Sequence, residues 1–271
     1  MSERGYTRTS HGQVHFRSAG ERRRDRTPLV LLHQTASSSA MYERLMTELA
    51  PELWTFAPDT PGFGGTEALA ERGSVARYAA VIVEAMDRAE IGECFLFGHH
   101  SGASIAAQIA CDQPSRVARL VLSGPPLLTK AELEALVPTV SPVSLDADGA
   151  HLMSVWRRIR AKDPTAPLDL SHREAVLNLI AGVRYPEAYD AVFAHDLAGA
   201  LRAITCPTLV VIGEHDTIRR SAEPAAGLLR DGRLAVLPRG GTYLCDREPD
   251  LVVGALREFL LHDRPMPEVS R

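Results

Sequence analysis

His100 stands midway between Gly98 and Gly102 in the run Cys94-Phe95-Leu96-Phe97-Gly98-His99-His100-Ser101-Gly102-Ala103. The run reads as an apolar strand, a tight turn and the start of a helix rich in small residues. A turn of that kind lifts one side chain clear of a strand end. An unperturbed imidazole titrates near about 6.5, so a histidine displayed there can serve as a general base at neutral pH. Ser101 is the competing nucleophile, but it lacks glycines at the matching offsets and begins the helix. No H-E-x-x-H pattern occurs, and adjacent rings at His99 and His100 would not aim at one ion. Neither a metal nor a cofactor is expected.

The elements that must position His100 follow from apolar patterning. Residues 6–18 alternate as a strand pair turning at Gly12. Leu29-Val30-Leu31-Leu32 is wholly apolar, as in a strand covered on both faces. A helix is expected near 40–50, a strand at Leu53-Trp54-Thr55-Phe56-Ala57, and a helix over 75–89. The turn around His100 leads into a helix over 102–112 and a strand at Leu120-Val121-Leu122. Thr208-Leu209-Val210-Val211-Ile212 and Leu234-Ala235-Val236-Leu237 are two more buried-type strands. Such alternation implies a parallel sheet wrapped by helices. Between Pro126 and about Leu201 only helical patterns broken by prolines appear.

In order along the chain come Leu31-Leu32-His33-Gln34-Thr35, Asp59-Thr60-Pro61-Gly62-Phe63-Gly64, the His100 turn, Gly213-Glu214-His215-Asp216 and Leu237-Pro238-Arg239-Gly240-Gly241-Thr242-Tyr243. Each is weak alone; the ordered set resembles the α/β-hydrolase superfamily. The His100 turn is similar to its nucleophile elbow, G-x-S-x-G. The resemblance implies an α/β-hydrolase fold: a mostly parallel, eight-stranded-type sheet with helices on both faces and a helical cap. The core would be residues 1–126 and 201–271, with residues 127–200 as the cap.

The departures are as specific as the matches. The resemblance places His100 at the nucleophile position, Thr242 at the catalytic-histidine position and Asp216 at the position of the acid. Gln34 stands for the usual glycine beside the oxyanion donor. Threonine has no basic nitrogen, so the ordinary acyl-enzyme route through a serine triad is not expected. An imidazole is longer than a serine side chain, and the missing loop ring leaves space. His100 is therefore expected to reach Asp216 as a histidine–carboxylate dyad, with the backbone amides of Thr35 and Ser101 as oxyanion donors. His33, Gln34, His99, His151, Trp156, Thr242 and Tyr243 are the candidate substrate contacts. Structural roles are the alternative for His33, His99 and the cap residues. His15 and the other histidines have no argued role.

The 271 residues and the net charge of -4 fit an ordinary soluble globular protein and give no electrostatic reason for nucleic acid or anionic membrane. The opening MSERGYTRTSHGQ has no apolar stretch, and no segment has the length of a membrane span. Four scattered cysteines, Cys245 nearest the site, are expected as reduced thiols in a cytoplasmic protein. The expected partner is a small-molecule substrate, with a homodimer left open. The reading that leads is non-covalent hydrolysis of a small apolar ester or lactone. A lyase, isomerase or cyclase reaction on the same dyad is one alternative, and a silent ligand-binding protein is the other.

Overall fold

The computed structural model describes residues 2–140 and 142–262. Eight strands form one sheet: β1 (Glu3–Thr9), β2 (Gly12–Ala19), β3 (Leu29–Leu32), β4 (Thr55–Pro58), β5 (Cys94–His99), β6 (Val117–Ser123), β7 (Thr208–Gly213) and β8 (Gly232–Leu237). Their spatial order is β1-β2-β4-β3-β5-β6-β7-β8. β1 and β2 form an antiparallel hairpin, β2 pairs antiparallel with β4, and every later pairing is parallel. The strand expected at 53–57 begins two residues later. Leu53 closes the preceding turn by donating its amide to Leu49, leaving Thr55 as the first ladder residue.

The continuously apolar strands are sandwiched between two cores. Val30, Leu32, Leu96, Leu120, Leu122, Val210 and Ile212 point to one face, against α2 (Val75–Arg88) and α3 (Ser101–Asp112). Leu29, Leu31, Phe97, Val121, Leu209 and Val211 point to the other, against α1 (Glu43–Leu49) and the C-terminal helix Pro249–Leu256. The period-two alternation of a pleated strand makes both sets apolar. α2 shows the complementary pattern: Val75, Tyr78, Ala79, Ile82, Val83 and Met86 are buried, and the Ser74 side chain caps its first turn.

Between β6 and β7 the chain forms α4 (Lys130–Leu136), α5 (Ala150–Lys162), α6 (Leu168–Ala181), α7 (Arg184–Phe193) and α8 (Leu197–Ala203). No strand occurs among the described residues of this segment. α8 returns to the sheet and packs beside α3, so its Leu197, Ala200 and Leu201 join the first core. The parallel strands all run the same way. The ends of β3, β5, β6, β7 and β8 therefore deliver the residues that follow them to one edge of the sheet.

Candidate active site

At that edge β5 turns sharply into α3. His100 is the turning residue, with φ 49° and ψ -113°. Positive φ is uncommon for a side chain of this size, and it is held here by steric closure on both sides. A Cβ on Gly98 would lie 2.2 Å from the Gly102 carbonyl oxygen, and one on Gly102 would lie 2.1 Å from that of Leu32. Only glycine lets strand and helix approach this closely.

The His100 ring reaches across to the loop after β7. Its Nε2 lies 2.9 Å from Asp216 Oδ2. The carboxylate is buried, and its other oxygen accepts the Ile218 amide at 3.0 Å. Burial alone would raise the Asp216 pKa, but the adjacent His100 and the Ile218 N–H outweigh it and hold the acid at about 2. An ionised carboxylate only accepts, so the Nε2 of neutral His100 carries the proton and Nδ1 keeps its lone pair. That nitrogen has no hydrogen-bond partner among the described residues. In a serine triad the ring is used the other way round, Nδ1 to the acid and Nε2 as the base.

Three residues absent from the sequence reading shape this arrangement. Gly124, at φ +58°, leaves room for the ring: a Cβ there would lie 2.6 Å from His100 Cδ2 and 2.8 Å from Nε2. Arg158 and Lys162 enter from α5, as described below. Behind His100 the His99 ring stacks on it at a centroid distance of 4.2 Å. His99 Nε2 donates to the Thr242 carbonyl at 3.1 Å, and Nδ1 accepts from the Ser123 hydroxyl at 2.8 Å. Burial, reinforced by the neighbouring His100 ring, pushes His99 down to about 3 and keeps it neutral. It anchors the β8 loop.

The oxyanion side differs from expectation. The Thr35 amide, anticipated as an open donor, is spent on Ser101 Oγ at 2.7 Å. The Thr35 hydroxyl lies 2.9 Å from the same oxygen. One hydroxyl hydrogen satisfies that contact, so the other remains to be donated by whichever of the two groups holds it. The Ser101 amide stands at the first turn of α3, where N–H groups have no intrahelical acceptor.

His100, Ser101, Thr35, Gln34 and Thr242 share a cavity of about 360 Å³ whose opposite wall comes from the helices between β6 and β7. Asp216 lies behind the ring and does not line it. Other sequence candidates fall elsewhere. His33 is buried, bonded to the Gln34 carbonyl and to the Thr60 amide. His151 accepts the Asp146 amide at the start of α5, and Trp156 packs between α5 and α6. Tyr243 points under α6 against Ala166 and Leu170, because the one-residue step from Thr242 reverses the side chain. Cys245 is buried, which raises its thiol pKa far above the ordinary range and keeps it protonated. Among the described residues no group of three or more His, Cys, Asp or Glu side chains could hold a metal ion. No described helix is long and apolar enough to cross a membrane.

A family model for the alpha/beta hydrolase fold matches residues 27–147. The bromoperoxidase structure from Bacillus anthracis superposes with a TM-score of 0.80 at 17% identity, over 96% of this chain and all of that one. This is an α/β-hydrolase fold. Two of its sequence relatives are named as hydrolases. The pimeloyl-[acyl-carrier protein] methyl ester esterase of Nitrosospira multiformis is 28% identical over 78% of this chain and 85% of its own. The 2-(acetamidomethylene)succinate hydrolase of Mesorhizobium japonicum is 26% identical over 86% of this chain and 88% of its own.

Proposed function

We propose that this α/β-hydrolase-fold chain is an enzyme that hydrolyses a small, largely apolar ester or lactone without a covalent intermediate. The 2.9 Å contact between His100 Nε2 and Asp216, made at the wall of a largely apolar cavity, is the observation that carries the reading. His100 Nδ1 takes a proton from a bound water while the water oxygen attacks the carbonyl carbon. Asp216 fixes the ring and balances the imidazolium that forms. The Ser101 amide and the remaining hydroxyl hydrogen of the Thr35–Ser101 pair receive the oxyanion charge. When the tetrahedral species collapses, the leaving alkoxide recovers the proton from Nδ1. Residues 127–200 act as the cap that excludes bulk water. The hydrolytic activities named for the two relatives above support water as the nucleophile.

A panel of aryl esters and small lactones tests the reading. Turnover should occur without a pre-steady-state burst, because no acyl-enzyme accumulates. Its rate should fall as pH is lowered, since a general base must hold a free lone pair. Organophosphates and sulfonyl fluorides should leave position 100 unlabelled on intact-mass analysis. A burst, or an adduct mapped to Ser101, would replace this mechanism with a covalent one.

A further inference from the structure

We infer that the substrate carries a carboxylate, held at the far wall of the cavity by Lys162 and Arg158. This rests on the cavity being the substrate site of the proposed hydrolase and adds the chemical class of its ligand. α5 crosses the cavity with Arg158, Ala161 and Lys162 facing it, a spacing of three and four residues that defines one helix face. Val155 and Ile159, on the adjoining stripe of the helix, are buried against α6. That packing sets the helix so that both cations line the cavity.

The charge lining the cavity is one-sided: among the described residues that line it none is acidic, although the chain as a whole is net negative. Lys162 makes no ion pair among the described residues. Its helix neighbour Arg160 shows what a purely structural cation does at this end of α5. Arg160 bonds the Ala166 carbonyl at 2.5 Å, the Ser171 hydroxyl at 2.9 Å and the Pro164 carbonyl, tying down the turn that follows. Lys162 makes no such bond. Arg158 is oriented by the Asn178 side-chain oxygen at 3.1 Å and by the Tyr185 ring, whose centroid is 4.4 Å from the guanidinium carbon. A guanidinium fixed on an aromatic face keeps a planar fork suited to a carboxylate.

The remainder of the wall is apolar: Leu128, Val140, Tyr189, Val192 and Phe193. Opposite the cations lie His100 and the Ser101 and Thr35 hydroxyls. A molecule that fits both ends has a carboxylate, an apolar or aromatic body, and a reacting carbonyl at the far end. Charge-assisted hydrogen bonds in a partly desolvated site are worth about 1.5–3 kcal/mol, which converts to roughly ten- to hundredfold in affinity.

Isothermal titration of the intact protein at pH 8 and low salt tests this with 3-phenylpropanoate, 4-phenylbutanoate and the matching carboxamides. At least one carboxylate should bind about tenfold or more tightly than its amide. The preference should shrink in Lys162→Met and shrink further in Arg158→Gln. Because Arg158 also supports Asn178 and Tyr185, Lys162→Met, at the half-exposed end of the helix, stands as the independent test. If no carboxylate binds better than its amide, or if the preference survives Lys162→Met undiminished, the assignment is overturned. Binding is read without turnover, so an inert protein that still prefers carboxylates would sink the dyad mechanism and leave this inference standing. An active enzyme indifferent to the carboxylate would do the reverse.

Discussion

Two histidine–carboxylate pairs occur among the described residues, and one of them stands at the cavity just described. His15 Nδ1 lies 2.7 Å from Asp59 Oδ2, a contact as short as that of His100 with Asp216. The His15 pair even uses the nitrogen that a serine triad uses. The difference lies in what surrounds them. Asp59 is wrapped by its own turn, accepting the Ser39 amide at 2.6 Å and the Gly65 amide at 2.9 Å. A Cβ on Gly64 would lie 2.1 Å from its Oδ2. The His15 ring packs edge-on against Tyr6 and lines no part of the cavity. His15–Asp59 closes a turn; His100–Asp216 stands on a positive-φ turn beside hydrogen-bond donors and an apolar chamber. A histidine beside a carboxylate is common chemistry, and the chamber is what turns it into a candidate for catalysis.

The largest expected effect separates the pairs. His100→Ala should lower kcat by about 10³-fold, within the range for loss of a general base, while shifting Tm by only a few degrees. Asp216→Asn should cost a comparable factor, because the neutral amide no longer fixes the tautomer. The corresponding changes at the turn should invert the pattern. Asp59→Asn leaves buried donors poorly matched and should cost about 2–4 kcal/mol in urea unfolding, with kcat in the surviving folded protein within about twofold of wild type. If Asp59→Asn abolished turnover in a fully folded protein, the contrast between the pairs would collapse.

Gly124→Ala comes next. The added methyl would collide with the His100 ring, and φ +58° is strained for alanine besides. Turnover should fall about tenfold to a hundredfold, with roughly 1–2 kcal/mol of lost stability. The same substitution at Gly92, where a Cβ meets nothing within 4 Å, should be silent in both assays. A silent Gly124→Ala would mean that the ring is not confined as the structure has it.

These residues also mark how far the sequence can be read. The sheet was legible because both-sided burial writes continuous apolar runs at β3, β5 and β7, while β8, read as the same kind of strand, is a half-buried edge strand whose run is apolar all the same. The turn at His100 was legible because Gly98 and Gly102 are demanded by backbone contacts. Gly124 was not, since its requirement comes from a ring 24 residues earlier that meets it only in three dimensions. Nor was Ser101 legible as the acceptor of the Thr35 amide, a contact that depends on the path of the loop after β3. In α5 the pattern offered His151 and Trp156, whereas Arg158, Ala161 and Lys162 line the cavity. Helical periodicity says which residues share a face, but the orientation of the face is set by packing against α6.

The pH dependence of stability sharpens the comparison at smaller amplitude. His99 titrates at about 3 in the folded protein and near about 6.5 when unfolded, because burial disfavours its cation. Below pH 6.5 the unfolded chain takes up a proton that the folded chain refuses, so stability falls as pH falls. Between pH 7 and 5.5 this amounts to about 1 kcal/mol in urea midpoint analysis, and His33, also lowered by burial, adds in the same direction. Asp216 and Asp59 act in a lower window. Their folded pKa values are depressed, so the stability that they contribute is intact above about pH 4 and is lost as pH drops toward their folded values. The slope between pH 7 and 5.5 should be shallower in His99→Asn. An unchanged slope would place the acid sensitivity elsewhere.

The smallest expected signal is a gain. His100→Ser with Thr242→His restores a serine and a loop imidazole beside the existing Asp216. The Thr242 side chain already lines the cavity while His99 holds its carbonyl, so the introduced ring would enter the volume that the His100 ring vacates. Nucleophile and base act as a unit, and His100→Ser alone should therefore give no burst with 4-nitrophenyl acetate. The double variant should give a weak one. Its weakness has a stated cause: the Thr35 amide remains bonded to Ser101 Oγ and cannot serve the oxyanion. Adding Ser101→Ala frees that amide, and since one oxyanion-hole donor is worth about 10²–10³ in kcat, even partial recovery should raise the burst rate about tenfold. Equal bursts in the single and double variants would show that another group already supplies the base. A triple variant no faster than the double would show that the Ser101 hydroxyl does not block the hole.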